Sequence, residues 1–245
     1  MSAAREGRAA PAQPLTIGIL GAGKLGTVLA RLAVAAGHRV RIAGSGSADR
    51  IRLIVDVVTP GAEAVSAEEA VASADLVVLA LPLSRLAGVP SGGLAGKVVV
   101  DAMNYWWEVD GHRDSLTDPR SSTSELVQRT LPRSVVIKAF NHMGYHDLDE
   151  GPLPAGDPNR RAIAVSGDVP VAVAVVASFV DGLGFDPVES GSLHDSIALQ
   201  PHAEAFGANV AAPDLRAMLE RFPTTARGRE VAAARSTPTP ETRAA

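Results

Sequence analysis

Three groups of residues in this chain have types and spacings that can do chemistry. The first is Gly21-Ala22-Gly23-Lys24-Leu25-Gly26, a G-x-G-x-x-G string. Alone it is a weak signal. Here it directly follows a β-rich apolar run, Leu15 to Leu20 (LTIGIL), and opens a stretch with Leu25, Val28, Leu29, Leu32 and Ala36 on one helical face. In that strand–turn–helix setting each glycine has a task. The first permits a tight turn, the second leaves the backbone open to a pyrophosphate, and the third lets helix and strand approach. The helix N-terminus adds free N–H groups and the positive end of its dipole. The expected ligand is a dinucleotide held by Gly21, Ala22, Gly23, Lys24, Leu25 and Gly26.

The second group lies where strand two ends, Ala43-Gly44-Ser45-Gly46-Ser47-Ala48-Asp49-Arg50. A chain that binds NAD usually places an acid at this tip to accept from the ribose 2′-hydroxyl. No carboxylate stands at the tip itself, and Ser45, Ser47 and Arg50 suit a 2′-phosphate through charge-assisted hydrogen bonds. Asp49 falls several residues late and can cap the helix that carries Arg50 and Arg52. The expectation is NADP(H) over NAD(H).

The third group gathers at the carboxyl ends of later strands, where ligands of open α/β sheets bind. Leu81-Pro82 follows strand four and should touch the cofactor. Asn104-Tyr105-Trp106-Trp107 follows strand five, and Asn141-His142-Met143 follows strand six. Aromatic residues are only 4% of the chain, yet one stretch holds both tryptophans and one of the two tyrosines. They suit a stacking wall for a second ring, and equally a packed loop or a dimer surface. Asn104, Tyr105, Trp106, Asn141 and Met143 are the expected substrate-binding residues. His142 is the candidate proton donor. No triad or dyad stands out. Asp101 ends strand five as a loop anchor or a functional group. Lys138 lies mid-strand, facing solvent or in a buried pair, and Glu108, Asp110 and Asp114 read as solvated loop. The histidines lack metal-ligand spacing, so no metal is expected.

The elements that must position these groups alternate between strand and helix. Arg39 to Ala43 is strand two, Ala48 to Val58 a helix and Ala62 to Val65 a short strand. Ser66 and Glu69 form a capping box for the next helix. Asp75 to Leu81 (DLVVLAL) is a continuous apolar strand of the kind covered on both faces. Lys97 to Asp101, a helix over Ser124 to Leu131, and a strand over Val135 to Phe140 follow. Arg161 to Ser166 and Phe185 to Glu189 are strands flanking a helix over Pro170 to Leu183, and Leu193 to Asn209 reads as a helix. The fold class is therefore α/β, a Rossmann-type doubly wound, mostly parallel sheet with added C-terminal strands and a helical cover. The division is 1–14, a disordered leader; 15–150, the NADP-binding domain; 151–223, an extension of the same sheet; and 224–245, an unpatterned Ala/Thr/Pro/Arg-rich disordered tail.

Composition narrows the class further. A chain of 245 residues can bury a substantial core. A net charge of −4 with no basic tract argues against nucleic acid. The absence of cysteine excludes disulfides and thiolate catalysis and suits a reducing, cytoplasmic setting. No apolar run reaches membrane-spanning length, and residues 1–14 lack a signal-peptide core.

Over residues 15 to 200 the chain resembles the coenzyme F420-dependent NADP oxidoreductase family, and the cytosolic reductase domain of the six-transmembrane metalloreductases, which shares that fold. The resemblance is carried by IGILGAGKLG (17–26), the Gly44-Ser45 step, ADLVVLALP (74–82), SSTSELVQ (121–128), VIKAFN (136–141) and VSGDVPVAV…VDGLGFDPVESGSL (165–193). Gly46 stands where the family often carries an arginine, and Ile197 and Gln200 replace its Arg and Glu. The resemblance implies NADP(H), a deazaflavin (F420) or flavin-like coenzyme as redox partner, hydride transfer between stacked rings, and a homodimer. Two alternatives stay open: an NADPH-dependent reductase of a small carbonyl or imine with His142 as acid, and a noncatalytic NADP-sensing module.

Overall fold

A computed structural model of the chain describes residues 14–237. The β-branched run after Pro14 forms β1 (Thr16–Leu20), buried at all five positions. The glycine string leads into α1 (Lys24–Ala35), whose buried residues include Val28, Leu29 and Leu32. Next come β2 (Arg39–Ala43), α2 (Asp49–Val58), β3 (Ala62–Ala64) and α3 (Ala67–Ala72). The capping box read at α3 is present, with Ser66 Oγ accepting from Glu69 N at 3.2 Å and Glu69 accepting from Ser66 N at 2.9 Å. β4 (Leu76–Leu79) and β5 (Val98–Asp101) follow, then two single helical turns, α4 (Trp107–Asp110) and α5 (Asp114–Thr117). A second capping box, Ser122 with Glu125, opens α6 (Thr123–Thr130). β6 (Val135–Lys138), α7 (Tyr145–Glu150), β7 (Ala162–Gly167), α8 (Pro170–Gly182) and β8 (Asp186–Glu189) complete the sheet and its cover.

The eight strands run in the order β3-β2-β1-β4-β5-β6-β7-β8. All pairs are parallel except β6 with β7, which is antiparallel and joined at Ile137↔Gly167 and Lys138↔Ser166. One core packs α1 and α8 against one face, through Ile17, Ile19, Leu29 and Phe179. Another packs α3 and α6 against the other, through Val77, Leu79, Val71 and Val127. The order in which strands are added reverses between β1 and β4, which makes their carboxyl ends the topological switch point. The Rossmann-type sheet with added C-terminal strands is thus the observed fold.

The structure departs from the sequence expectations in two C-terminal stretches. In place of a helix over 193–209, a short 3-10 turn spans Asp195–Leu199 and irregular turns follow. Pro201 cannot continue a helical hydrogen-bond ladder, and His202 and Gly207 take positive φ of 76° and 87°. The helices come later, as α9 (Ala212–Arg221) and α10 (Ala226–Ser236). α10 occupies half of the expected disordered tail. Its composition lacks an apolar stripe, and only Gly228 and Val231 are buried, so the periodicity that marks a packed helix is missing. Polar contacts hold it instead: Thr225 caps Gly228 N at 3.0 Å, and Arg235 reaches the carbonyls of His194 and Arg120. The expected leader, apart from Pro14, and residues 238–245 lie outside the described residues.

Candidate active site

At the switch point β1 turns into α1 through the glycine string. Gly21 has φ +119°, and its N–H donates to Ala43 O at 2.8 Å, tying the loop to the end of β2. A Cβ on Gly21 would run into Ala80 O, and one on Gly26 into Gly21 O, so both positions are closed to any side chain. Gly23 is different, because a Cβ there would meet nothing within 4 Å. It is the N-cap of α1 and makes no side-chain cap bond, so the first amides of the helix have no side-chain cap. Two glycines pack the loop and one leaves space over a helix N-terminus, which is the division of labour a bound pyrophosphate requires. Ala22 and Leu25 flank this space. Lys24 Nζ donates to Tyr145 Oη at 3.0 Å and sits 5.1 Å from that ring's centre; this hydrogen bond raises the lysine pKa.

The tip of β2 is polar and open, with Ser45, Ser47 and Arg50 all exposed. Asp49 pairs with Arg52 at 2.8 Å, while Arg50 enters no ion pair among the described residues. Its guanidinium instead lies over Gly46, 3.2 Å from where a Cβ would stand. The tip therefore offers a cation and two hydroxyls, and its one acid is already engaged. These groups fit a 2′-phosphate. Leu81 and Pro82 follow β4 at the switch-point edge, half-buried and exposed respectively.

Beyond β5 a buried ionic network fixes the chain. Lys138 Nζ lies 3.1 Å from Asp101 Oδ2, with both side chains fully buried. Asp101 also accepts from Ser124 Oγ at 2.7 Å and from Met103 N at 3.0 Å, and Lys138 donates to Met103 O. Burial pulls the Lys138 pKa down, with the Asp101 charge opposing. Asp101 is thus a loop anchor and Lys138 one half of a buried pair.

The anchored segment delivers Tyr105, Trp106 and Trp107 to a cavity of about 580 Å³. Trp106 meets Phe206 edge-on, with centroids 5.7 Å apart, and Trp107 stacks on His112 at 5.0 Å. Tyr105 donates to Gly111 O at 2.8 Å. Gln200 and His202 contribute from the turn region, Thr123 from the start of α6, and Arg227 and Glu230 from α10. Gln200 is held by a 2.9 Å hydrogen bond to Thr123 Oγ1. Asp110, read as solvated loop, is only 6% exposed; its carboxylate accepts from Ser84 N and Trp106 N and closes the aromatic turn.

Several expected site residues do not reach this cavity. Asn104 and Asn141 interlock at the ends of β5 and β6: Asn104 Nδ2 donates to Asn141 O at 2.7 Å, and Asn141 Nδ2 donates to Asn104 Oδ1 and Leu199 O. Met143 is buried in the core packed by α1 and α8. His142 is 1% exposed, and its Nε2 accepts from Ala164 N of β7 at 3.0 Å. That bond requires an unprotonated Nε2, and burial pushes the imidazole pKa down to about 4. The expectation of a proton donor at His142 is not met: the ring is neutral, sealed and pinned to a strand. Sequence reading also missed the contributions of His202, Arg227 and Glu230. The Arg227-x-x-Glu230 spacing within an alanine-rich run was the signal for the last two. Among the described residues no cluster of His, Asp or Glu is arranged to hold a metal, and no helix is long and apolar enough to cross a membrane.

Sheet order and glycine loop define a Rossmann-type fold with the features of a dinucleotide site. Residues 16–105 match the family described as NADP oxidoreductase, coenzyme F420-dependent, which bears out the resemblance read from the sequence. An 81-residue stretch is 40% identical to the protein YjhV of Escherichia coli K12, covering 33% of this chain and 57% of that one. The chain is similar in structure to SMa0349 of Sinorhizobium meliloti, with TM-score 0.71 and 28% identity over 81% of this chain and 96% of the other. It is also similar to a protein of Arthrobacter sp. FB24 named provisionally as an F420-dependent NADP-reductase, with TM-score 0.63 and 25% identity over 73% and 86% of the two chains.

Proposed function

We propose that the protein is an NADP(H)-dependent oxidoreductase that passes hydride between the nicotinamide and a flat conjugated coenzyme of the deazaflavin or flavin type. The observation that carries this reading is the cavity of about 580 Å³ beyond β5, into which Tyr105, Trp106 and Trp107 are delivered together. Hydride exchange between two rings asks the protein for stacking and exclusion of water more than for a strong acid. The chain's residues suit those tasks. Gly23 and the N-terminus of α1 bind the pyrophosphate, and Ser45, Ser47 and Arg50 bind the 2′-phosphate. The Lys138–Asp101 pair holds the β5 end rigid, and the tryptophans orient the second ring. The bound nicotinamide itself supplies or takes up the hydride.

The reading as a reductase of a small carbonyl or imine with His142 as its acid is disfavoured, because that ring is buried and its Nε2 accepts from Ala164 N. Anaerobic stopped-flow with NADPH against F420, FMN and FAD tests the proposal. Rapid absorbance change with one of these acceptors is the expected result. NADPH binding without turnover of any acceptor would favour a nucleotide-sensing role.

A further inference from the structure

The helix that the sequence hid, α10, is placed by specific contacts rather than by a buried face. Its main packing point is Gly228, where a Cβ would run into Phe222 O. Thr225 ties down its start and Arg235 its end. So positioned, it brings Arg227 and Glu230 to the cavity that both tryptophans line. The two are paired on one helix face, Arg227 Nη1 to Glu230 Oε2 at 2.8 Å. The pair does not exhaust either group, since a guanidinium has five N–H donors and a carboxylate about four lone-pair sites. What the helix offers a ligand is therefore a donor and an acceptor side by side, at the rim of an aromatic slot.

A planar ring with an imide edge, carbonyl beside N–H beside carbonyl, is the complement of that pair. Building on the reading that the cavity takes a flat coenzyme, we infer that Arg227 and Glu230 recognise the imide edge of its pyrimidinedione ring. Arg227 donates to a ring carbonyl and Glu230 accepts from the ring N–H. A site built around such a bond rejects an analogue that lacks the N–H, because the carboxylate is left facing a group it cannot use. A small ketone has no such edge, so α10 serves as a selector of ring acceptors.

The test titrates lumiflavin and 3-methyllumiflavin, whose imide nitrogen is blocked, into the full chain with saturating NADP⁺. Both of the chain's tryptophans line the cavity, so intrinsic fluorescence reads binding there. The parent protein should prefer lumiflavin by about tenfold, the worth of one hydrogen bond to a charged group. Glu230→Ala should erase the preference, and Arg227→Ala should weaken both ligands alike. Equal affinity in the parent, or a preference that survives Glu230→Ala, overturns the inference while leaving the proposed function intact. Failure of both rings to bind overturns the two together. A second measurement needs no ring at all. Gly228→Ala should displace α10 and raise acrylamide quenching of the tryptophans while NADP⁺ still binds. Unchanged quenching in that variant would show that α10 does not wall the cavity.

Discussion

The glycine-loop side and the aromatic-cavity side of this molecule are built by different means. The glycine-loop side is made mostly of backbone, three glycines and a helix N-terminus, with a few side chains at the tip of β2, all within residues 16–58. The cavity side is made of side chains from the turn after β5, the start of α6, the turns near residue 200, and α10. Backbone sites need particular residues at fixed spacing, because only glycine tolerates the closeness, and they are contiguous in sequence. Side-chain sites need only that the fold bring four segments together, and many residue types can line them. A chain can therefore keep its cofactor site recognisable while its partner site changes beyond recognition. The family match runs from β1 through β5 and stops at Tyr105, short of α6, the turns near residue 200 and α10.

The largest effect that would sharpen this contrast is at Asp101. Removing one partner of a fully buried pair leaves an uncompensated charge, so Asp101→Ala should cost about 3–5 kcal/mol in denaturant unfolding. Replacing both partners with apolar residues, Asp101→Leu with Lys138→Met, should recover much of that loss. If the single variant is as stable as the parent, the anchor beneath the aromatic turn is not ionic.

Next in size is a pH effect at His142, whose pKa falls from the ordinary 6.5 to about 4 on folding. Between those values the unfolded chain binds a proton and the native chain does not, so stability rises with pH and is lost as pH falls from 6.5 towards 4. The total is roughly 3 kcal/mol at most. Urea midpoints at pH 7 and 4.5 should differ by more in the parent than in His142→Gln. Identical pH slopes would place the histidine in contact with water.

Within the glycine loop two substitutions should separate. Gly26→Ala forces a Cβ against backbone and should destabilise the fold by about 1–3 kcal/mol. Gly23→Ala meets only open space, so its melting temperature should hold while NADP⁺ binding by calorimetry weakens by about 1–3 kcal/mol. Equal affinity in the Gly23 variant would remove the pyrophosphate from this loop. The smallest effect is at the tip of β2. Arg50→Ala should reduce the preference for NADP⁺ over NAD⁺ by about tenfold, the worth of a single charge-assisted hydrogen bond at an exposed site. An unchanged preference, measured by calorimetry with both nucleotides, would free Arg50 of any part in cofactor choice.

How far the sequence can be read follows the same physics. The strands and α1 were legible because burial on both faces leaves continuous apolar runs and because Gly37 and Gly61 end their elements. The capping boxes at Ser66 and Ser122 are local bonds between residues three apart, and the one at Ser66 was readable from the sequence. His142 was misjudged since its position after a strand end says nothing of the strand, β7, that arrives later and covers it. α10 was missed because its stability comes from Arg235 and Gly228 meeting distant backbone, which leaves no periodic trace. Asp110 looked like loop charge because the amides it satisfies belong to Ser84 and Trp106.

The antiparallel junction between β6 and β7 has a further consequence for how the molecule breathes. Two residue pairs join there, against four between β5 and β6. β7 and β8 carry a small core of their own with α9, through Ala164, Val188 and Leu215. The other face of β7 joins the main core through Ile163 and Val165, so opening this unit means parting a short seam and one shared face while the rest stays folded. Native-state hydrogen exchange should then find the amides of β7 and β8 sharing one opening free energy, below that of β1, β4 and β5.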